Sequence, residues 1–309
     1  MIMLFLGHLL LHGWLLGYVP STGVDLVVLG TVQDAGSPHI GCQKDCCKDL
    51  FANPDPTRKV TSLGLLDHAA DKKFIFEASP DLPAQLELLR NSYPETGHLL
   101  PNGIFLTHAH IGHYTGLMYL GREAINAQGV EVFCMPRMQA YLQSNGPWSQ
   151  LLQLGNIHPK TLSPDTPLPL TKNILVQPFR VPHRDEYSET VGYLIEGPSK
   201  KALFIPDIDK WEKWGRDIRE EIKNVDYALI DATFFDAAEI NYRDIAEIPH
   251  PFVVETMNTF SEWPTSEKAK IIFIHLNHTN PLLDPTSEAT RFVLEQGFQV
   301  ARLGQVIRL

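Results

Sequence analysis

Three imidazoles, His108, His110 and His113, fall within six positions, directly after the short apolar run from Gly103 to Thr107. A β-strand that stops at Thr107 delivers them to one end of a sheet. The tight spacing gives the first two a shared target and turns the third to a neighbouring one. Imidazole is the commonest metal ligand, and such a set on a rigid strand end suits zinc or iron. From this segment alone, a surface loop that happens to be rich in His is the alternative. Three more metal-capable residues follow strand-like runs in the same way: His183 after Pro178 to Pro182, Asp207 after Ala202 to Pro206, and His275 after Ile271 to Ile274. Taken singly, each is an ordinary turn residue or cap. Together they are what a scaffold needs to converge ligands that are distant in sequence.

These segments resemble the metallo-β-lactamase superfamily, whose His-x-His-x-Asp-His signature is matched here with Gly112 in place of the Asp. More narrowly, the stretches Val28 to Cys47, Phe76 to Leu82, Leu106 to Leu117 and His275 to Pro281 look like the PqqB-like branch, named for a pyrroloquinoline quinone biosynthesis protein. The resemblance runs over roughly residues 25 to 309. It implies an αββα sandwich, two mixed β-sheets packed face to face with helices outside. It also implies that His108, His110 and His183 bind a first metal, Asp207 bridges two metals, and His113 with His275 bind the second. Asp207 and His183 are then the residues closest to the chemistry. A catalytic metal ion lowers the pKa of a coordinated water toward neutrality, which suits attack on a carbonyl or phosphoryl centre. Gly112 departs from the pattern, because the signature Asp both binds the second metal and positions the nucleophile. The expectation is therefore a second position one carboxylate poorer. Asp185 and Glu186 are the substitutes nearest in sequence, although a solvated loop is the plainer reading of both. Tyr114, His39, Asp34 and Asp81 are candidates to protonate a leaving group. For Asp34 the plain alternative is a turn hydrogen bond.

Cys42, Cys46 and Cys47 cluster within six residues, while Cys134 ends an apolar strand and reads as core. Thiolates close a tetrahedral zinc site when a fourth ligand arrives from elsewhere, and His278, three residues after His275, is the candidate. Relatives in the resembled branch carry an N-terminal Cys group and a late His around structural zinc, with different Cys spacing. Adjacent side chains tend to diverge, so two of the three Cys are expected to bind. Free thiols and a disulfide are the alternatives.

The elements that must position these groups are legible from apolar runs bounded by Gly, Pro, Asn or Asp. Strand-like runs begin at Asp25, Leu63, Lys73, Ile104, Val130, Leu175, Thr190, Ala202, Tyr227, Ile271 and Gln299. Helical spacing follows Asp81, runs from Thr115 through Leu117, Leu120 and Ile125 to Gly129, spans Asp209 to Ile222, and returns from Ser287 to Gln296. The pattern alone gives α/β or α+β. No linker divides residues 25–309, which are expected to form one domain, with Pro159 to Pro169 as a surface excursion.

The 309 residues are 44% apolar and 20% charged, ordinary values for a chain with a substantial core. A net charge of −10 argues against a nucleic-acid backbone as the main partner and permits a small-molecule substrate. Bound divalent cations offset part of that acidity. Residues 1–24 contain no Asp, Glu, Lys or Arg. They resemble a secretory signal or membrane anchor, but His8 and His12 interrupt the apolar run and no Ala-x-Ala site follows. A packed segment or a mis-assigned start explains them equally, so the compartment stays open, as does the oligomeric state. Three function classes remain. The first is a metal-dependent hydrolase of an ester, phosphodiester or related bond, using zinc or manganese. The second is a PqqB-like iron-dependent oxidase or oxygenase. The third is a metal-stabilised binding protein with a degenerate centre. Trp148, Trp211, Trp214 and Trp263 are candidate pocket residues or core.

Overall fold

The computed structural model describes residues 23–92, 98–240 and 245–309. Nearly all of the uncharged N-terminal stretch lies outside them. Among the described residues no helix is long and apolar enough to cross a membrane.

In chain order the strands are β1 (Val24–Gly30), β2 (Ser62–Asp67), β3 (Lys72–Phe76), β4 (Gly103–Phe105), β5 (Val130–Cys134), β6 (Ile157–Thr161) and β7 (Leu168–Pro169). They continue as β8 (Leu175–Arg180), β9 (Val191–Glu196), β10 (Lys201–Ile205), β11 (Tyr227–Asp231), β12 (Ile271–Ile274), β13 (Gln299–Val300) and β14 (Val306–Arg308). They form two seven-stranded sheets, ordered β14-β1-β2-β3-β4-β5-β6 and β13-β12-β11-β10-β9-β8-β7. Each sheet has an antiparallel half and a parallel half. In the first, β3, β4, β5 and β6 run parallel; in the second, β10, β11, β12 and β13 do. Parallel strands are covered on both faces, so they read as unbroken apolar runs such as Ile271–Ile274, all buried.

The inner faces meet in an aromatic core in which Phe76 stacks on Phe105 and meets Tyr193 edge-on. Each fully buried Phe contributes roughly 1.5–3 kcal/mol. The outer face of the first sheet is covered by α1 (Leu82–Ser92), the short α2 (Ile111–Tyr114), α3 (Pro136–Ser144) and α4 (Trp148–Gln153). The second sheet carries α5 (Ile218–Lys223), α6 (Val253–Thr259) and, after the one-turn α7 (Thr265–Lys268) that precedes β12, α8 (Glu288–Glu295). This is the expected αββα sandwich.

Three local expectations are corrected. The helix expected from Thr115 to Gly129 is a 3₁₀ segment that ends at Leu120, because the chain becomes extended at Gly121 and left-handed at Asn126. The one expected from Asp209 to Ile222 splits into a 3₁₀ turn at Trp211–Lys213 and α5, whose N-cap Asp217 accepts a hydrogen bond from the Arg219 amide. The Pro159 to Pro169 stretch is no excursion. It contributes β6 and β7, the edge strands of the two sheets, where a proline lacking its amide hydrogen is tolerated.

Candidate metal centre

The metal-capable residues collect at strand ends, most of them ends of parallel strands. Chain leaving β3 presents Glu77, chain leaving β4 presents Thr107, His108 and His110, and α2 carries His113. His183, Asp207, Asp231 and His275 stand at or just beyond the ends of β8, β10, β11 and β12. Glu77 and His275 adopt left-handed backbone angles (φ 75° and 66°), a strained conformation for residues other than Gly that a packed scaffold must enforce.

Asp207 is the hinge of the arrangement. Its Oδ2 lies 3.2 Å from His183 Nε2, 3.3 Å from His108 Nε2 and 3.9 Å from His110 Nδ1. The same oxygen is 3.8 Å from His113 Nε2. Three groups of metal-capable side chains share this carboxylate: a first set of His108, His110, His183 and Asp207, a second of Asp34, His113, Asp207 and His275, and a smaller one of Asp207, Asp231 and His250. In each set the ligand atoms lie within 4.8 Å of one another.

Asp34 corrects the expectation drawn from Gly112. Its Oδ1 lies 2.9 Å from His113 Nε2 and 3.3 Å from His275 Nε2, so the second set has its carboxylate from the loop after β1. Gly112 is what admits it. A Cβ at position 112 would sit 2.5 Å from Asp34 Cα and 2.6 Å from Asp34 Oδ1. The signature carboxylate and the Asp34 loop therefore compete for the same space, and this chain holds the second arrangement. Glu186 stands in an exposed loop, as expected, and from there its Oε2 reaches His110 Nε2 at 3.2 Å. Asp185 instead accepts a hydrogen bond from Thr190 Oγ1.

The side of each imidazole turned away from the centre has a partner in four of five cases. His108 Nδ1 meets Thr107 Oγ1 at 2.9 Å, His113 Nδ1 meets Glu77 Oε1 at 3.3 Å, and His275 Nδ1 meets Thr233 Oγ1 at 3.0 Å. Glu186 serves His110, and His183 Nδ1 has no hydrogen-bond partner among the described residues. Such outer partners fix tautomer and ring orientation in metal sites. A residue that sequence reasoning missed completes the picture. His250 Nδ1 lies 3.2 Å from Asp207 Oδ1 and 2.9 Å from Asp231 Oδ2, so it approaches the Asp207 oxygen that the imidazoles of the first two sets do not. His250 follows no strand-like run, so the strand-end signal could not find it.

The donor set fits divalent cations. Burial would raise the Asp34 carboxyl, but His113 and then His275 outweigh it and hold it well below the ordinary range. Burial acts on Asp207 in the same sense and is overcome by His183 and His250. Burial would also neutralise the imidazoles, yet Asp34 and Glu77 drive His113 well above its ordinary value, and Asp231 with Asp34 push His275 up to about 9. His108 goes the other way, well below, because burial and His113 dominate it. The buried carboxylates thus form a negative well that demands countercharge. His108 Nε2 and Asp207 Oδ1, both buried, make no hydrogen bond within it. Cations between neutral imidazoles and carboxylates satisfy that demand.

The thiolate group also assembles. Cys42, Cys46, Cys47 and His278 bring four ligand atoms within 4.8 Å of one another. Sγ of Cys46 is 3.9 Å from that of Cys42 and 3.8 Å from that of Cys47, so the neighbouring Cys side chains do not diverge as expected. Cys134 is buried under the helices, as read. The side chains of the other acid–base candidates make no hydrogen bond, ion pair or ring contact with the residues of the first two sets. Tyr114 is buried against Tyr141 and Trp148, His39 packs against His278, and Asp81 accepts a hydrogen bond from the Val60 amide. Trp148, Trp211, Trp214 and Trp263 pack against the outer cores.

Known proteins share this architecture. The model of the β-lactamase superfamily domain matches residues 72–276. Coenzyme PQQ synthesis protein B of Methylococcus capsulatus is 26% identical over 312 residues, covering 91% of this chain and 99% of that protein. Its counterpart in Xanthomonas campestris is 24% identical, covering 92% and 99%. Among solved structures, Zn²⁺-bound PqqB from Methylobacterium extorquens superposes with a TM-score of 0.73 at 21% identity, covering 92% of this chain and 100% of that one. A diphosphatase of the PhnP family superposes at 0.64 and 18% identity, covering 93% and 97%. On the family match and the layered fold together, this chain belongs to the β-lactamase superfamily.

Proposed function

We propose that this chain is a metal-dependent hydrolase with a two-metal centre, acting on an ester, phosphodiester or related bond of a small substrate. The observation that carries the reading is Asp34, which gives the second ligand set its own carboxylate and leaves neither set degenerate. His108, His110 and His183 would hold the first cation, Asp34, His113 and His275 the second, and Asp207 would lie between them. The bound pair supplies an activated water and a Lewis acid. The protein's own groups do the rest. Glu77 and Thr233 hold the rings of His113 and His275 in orientation, and Asp231 fixes His250 against Asp207. Zinc is the first expectation and manganese a substitute. The thiolate group would hold a further, structural zinc.

A second reading, iron-dependent oxidation in quinone cofactor synthesis, is supported by the name shared by the curated relatives. One experiment separates the two. Protein purified without added metal is analysed for zinc, manganese and iron beside His108→Ala, and both are assayed on p-nitrophenyl esters and bis(p-nitrophenyl) phosphate. The hydrolase reading expects zinc or manganese, lost in part from the variant, and turnover that falls with it. Iron as the metal lost, with oxygen consumption and no hydrolysis, supports the oxidase. Unchanged metal content in His108→Ala refutes both.

A further inference from the structure

A cavity of about 790 Å³ adjoins the metal centre, a volume that suits a small organic ligand. It reaches the centre through His250, a lining residue whose ring lies 3.2 Å from Asp207. The thiolate turn and the chain just before it contribute Lys44 and His39 to its lining. Lys44 stands between Cys42 and Cys46, and its carbonyl accepts hydrogen bonds from the Cys47 and Lys48 amides, which closes the turn beneath it. His39, close before that turn, packs against His278 with ring centroids 4.4 Å apart and the rings tilted by 33°, joining this wall to the loop after β12. Arg184 enters from the loop that carries His183.

Two features give the cavity a chemical preference. Lys44 and Arg184 lie on its wall with no carboxylate in salt-bridge distance among the described residues, although the chain carries 36 acids against 26 Lys and Arg. The lining also holds Glu239 and Glu247, which make no ion pair with Lys44 or Arg184; the Glu239 carboxyl accepts instead from Thr279 Oγ1 and the Phe235 amide. Phe234 and Ile248 add apolar surface for an organic group. Resting on the hydrolase reading, we propose that this cavity is the substrate site, that the substrate carries an anionic oxyacid group gripped by Lys44 and Arg184, and that the Cys42/Cys46/Cys47/His278 site sets the position of Lys44.

The test uses the full chain with its metals and two non-hydrolysable probes, phenylphosphonate and benzoate, titrated by calorimetry. It adds the kcat/KM ratio for bis(p-nitrophenyl) phosphate, an anion, over neutral p-nitrophenyl acetate. Lys44→Gln and Arg184→Gln are expected each to weaken the better-bound probe about tenfold and to lower that ratio about tenfold, mainly through KM, as loss of a hydrogen bond between charged groups does. Which probe binds more tightly distinguishes a phosphoryl from a carboxylate group. Lys48→Gln, paired with Asp45 on the surface, serves as the control and should match wild type. Cys42→Ser is expected to lose one equivalent of zinc, keep the metals of the other sets, and show the same weakening as Lys44→Gln. Unchanged probe binding in both Lys44→Gln and Arg184→Gln overturns the cavity assignment, whether or not the protein hydrolyses anything. Probe binding that depends on both residues, in a protein without turnover, keeps the anion site and fails the hydrolase reading instead. Wild-type binding by zinc-depleted Cys42→Ser overturns the link between the thiolate site and Lys44.

Discussion

Exchanging the carboxylate between positions 34 and 112 separates a relocated metal ligand from a lost one. Asp34 Oδ1 is 2.9 Å and 3.3 Å from the inward nitrogens of His113 and His275, and all three side chains are largely shielded from water. Removing one partner from a buried charged set costs about 3–5 kcal/mol. At about 1.4 kcal/mol per factor of ten, Asp34→Ala should weaken the second position's hold on its metal by roughly a hundredfold to several thousandfold. The first position should keep its ion, since none of its imidazoles contacts Asp34. Gly112→Asp alone should do similar damage, because the new Cβ begins 2.5 Å from Asp34 Cα and the two carboxylates cannot share the space. The combination of Asp34→Gly with Gly112→Asp places the carboxylate in the other arrangement. It should regain at least about tenfold of the lost affinity, a non-additivity that a double-mutant cycle reads directly. The assay is elemental analysis with chelator competition, followed by ester turnover on the same preparations. If Asp34→Ala holds its full complement of metal with wild-type affinity, Asp34 is only a loop residue. If the double variant is no better than the sum of the singles, the two positions do not compete for one role.

Three further outcomes follow from the same geometry. Glu77→Gln keeps the shape behind His113 but removes the charge facing its Nδ1, so the second metal should bind about 10–100-fold more weakly by chelator competition, with the first unaffected. Burial raises Glu239 from its ordinary 4.5 to about 6. Below pH 4.5 the carboxyl is protonated in both folded and unfolded chains and costs nothing. As pH rises through that window the unfolded chain ionises first, and stability falls by up to about 2 kcal/mol. Urea unfolding should therefore find Glu239→Gln more stable than wild type at pH 7.5 by up to about that amount, and equal to it at pH 4. Gly30→Ala would place a Cβ 1.9 Å from the Val60 carbonyl oxygen, a backbone atom that cannot rotate away. Thermal unfolding should show a loss of about 3 kcal/mol or more, because overpacking against main chain has no side-chain relief.

The first ligand set was legible because each of its members announces itself locally. His108, His110, His183 and Asp207 all follow apolar runs, and a strand buried on both faces leaves an unmistakable stretch of Ile, Leu and Phe before its end. The same signal located nearly every strand of the two sheets; it missed β6, whose His158, Pro159 and Lys160 are not apolar, and the two- and three-residue edge strands β7 and β14, which are too short to form a run. Helices off the sheet were harder. α5 and the 3₁₀ turn before it share one apolar spacing, and only the Asp217 cap divides them. Asp34 lay beyond both signals. It belongs to an irregular loop 79 residues before His113, and nothing in its neighbourhood is periodic. What the sequence did carry was the gap at Gly112, which reads along the chain as a missing carboxylate. In space it is a missing Cβ, and the distance of 2.5 Å to Asp34 shows which atom that omission makes room for. A metal site constrains where oxygen and nitrogen atoms stand, not which segment brings them. A glycine in a ligand motif therefore asks a question that only packing answers: whether the position has been emptied, or opened to a neighbouring loop. Here the buried charge decides it, since His113 and His275 sealed away without Asp34 would face only Asp207 and the outer acids, too little countercharge for a second cation.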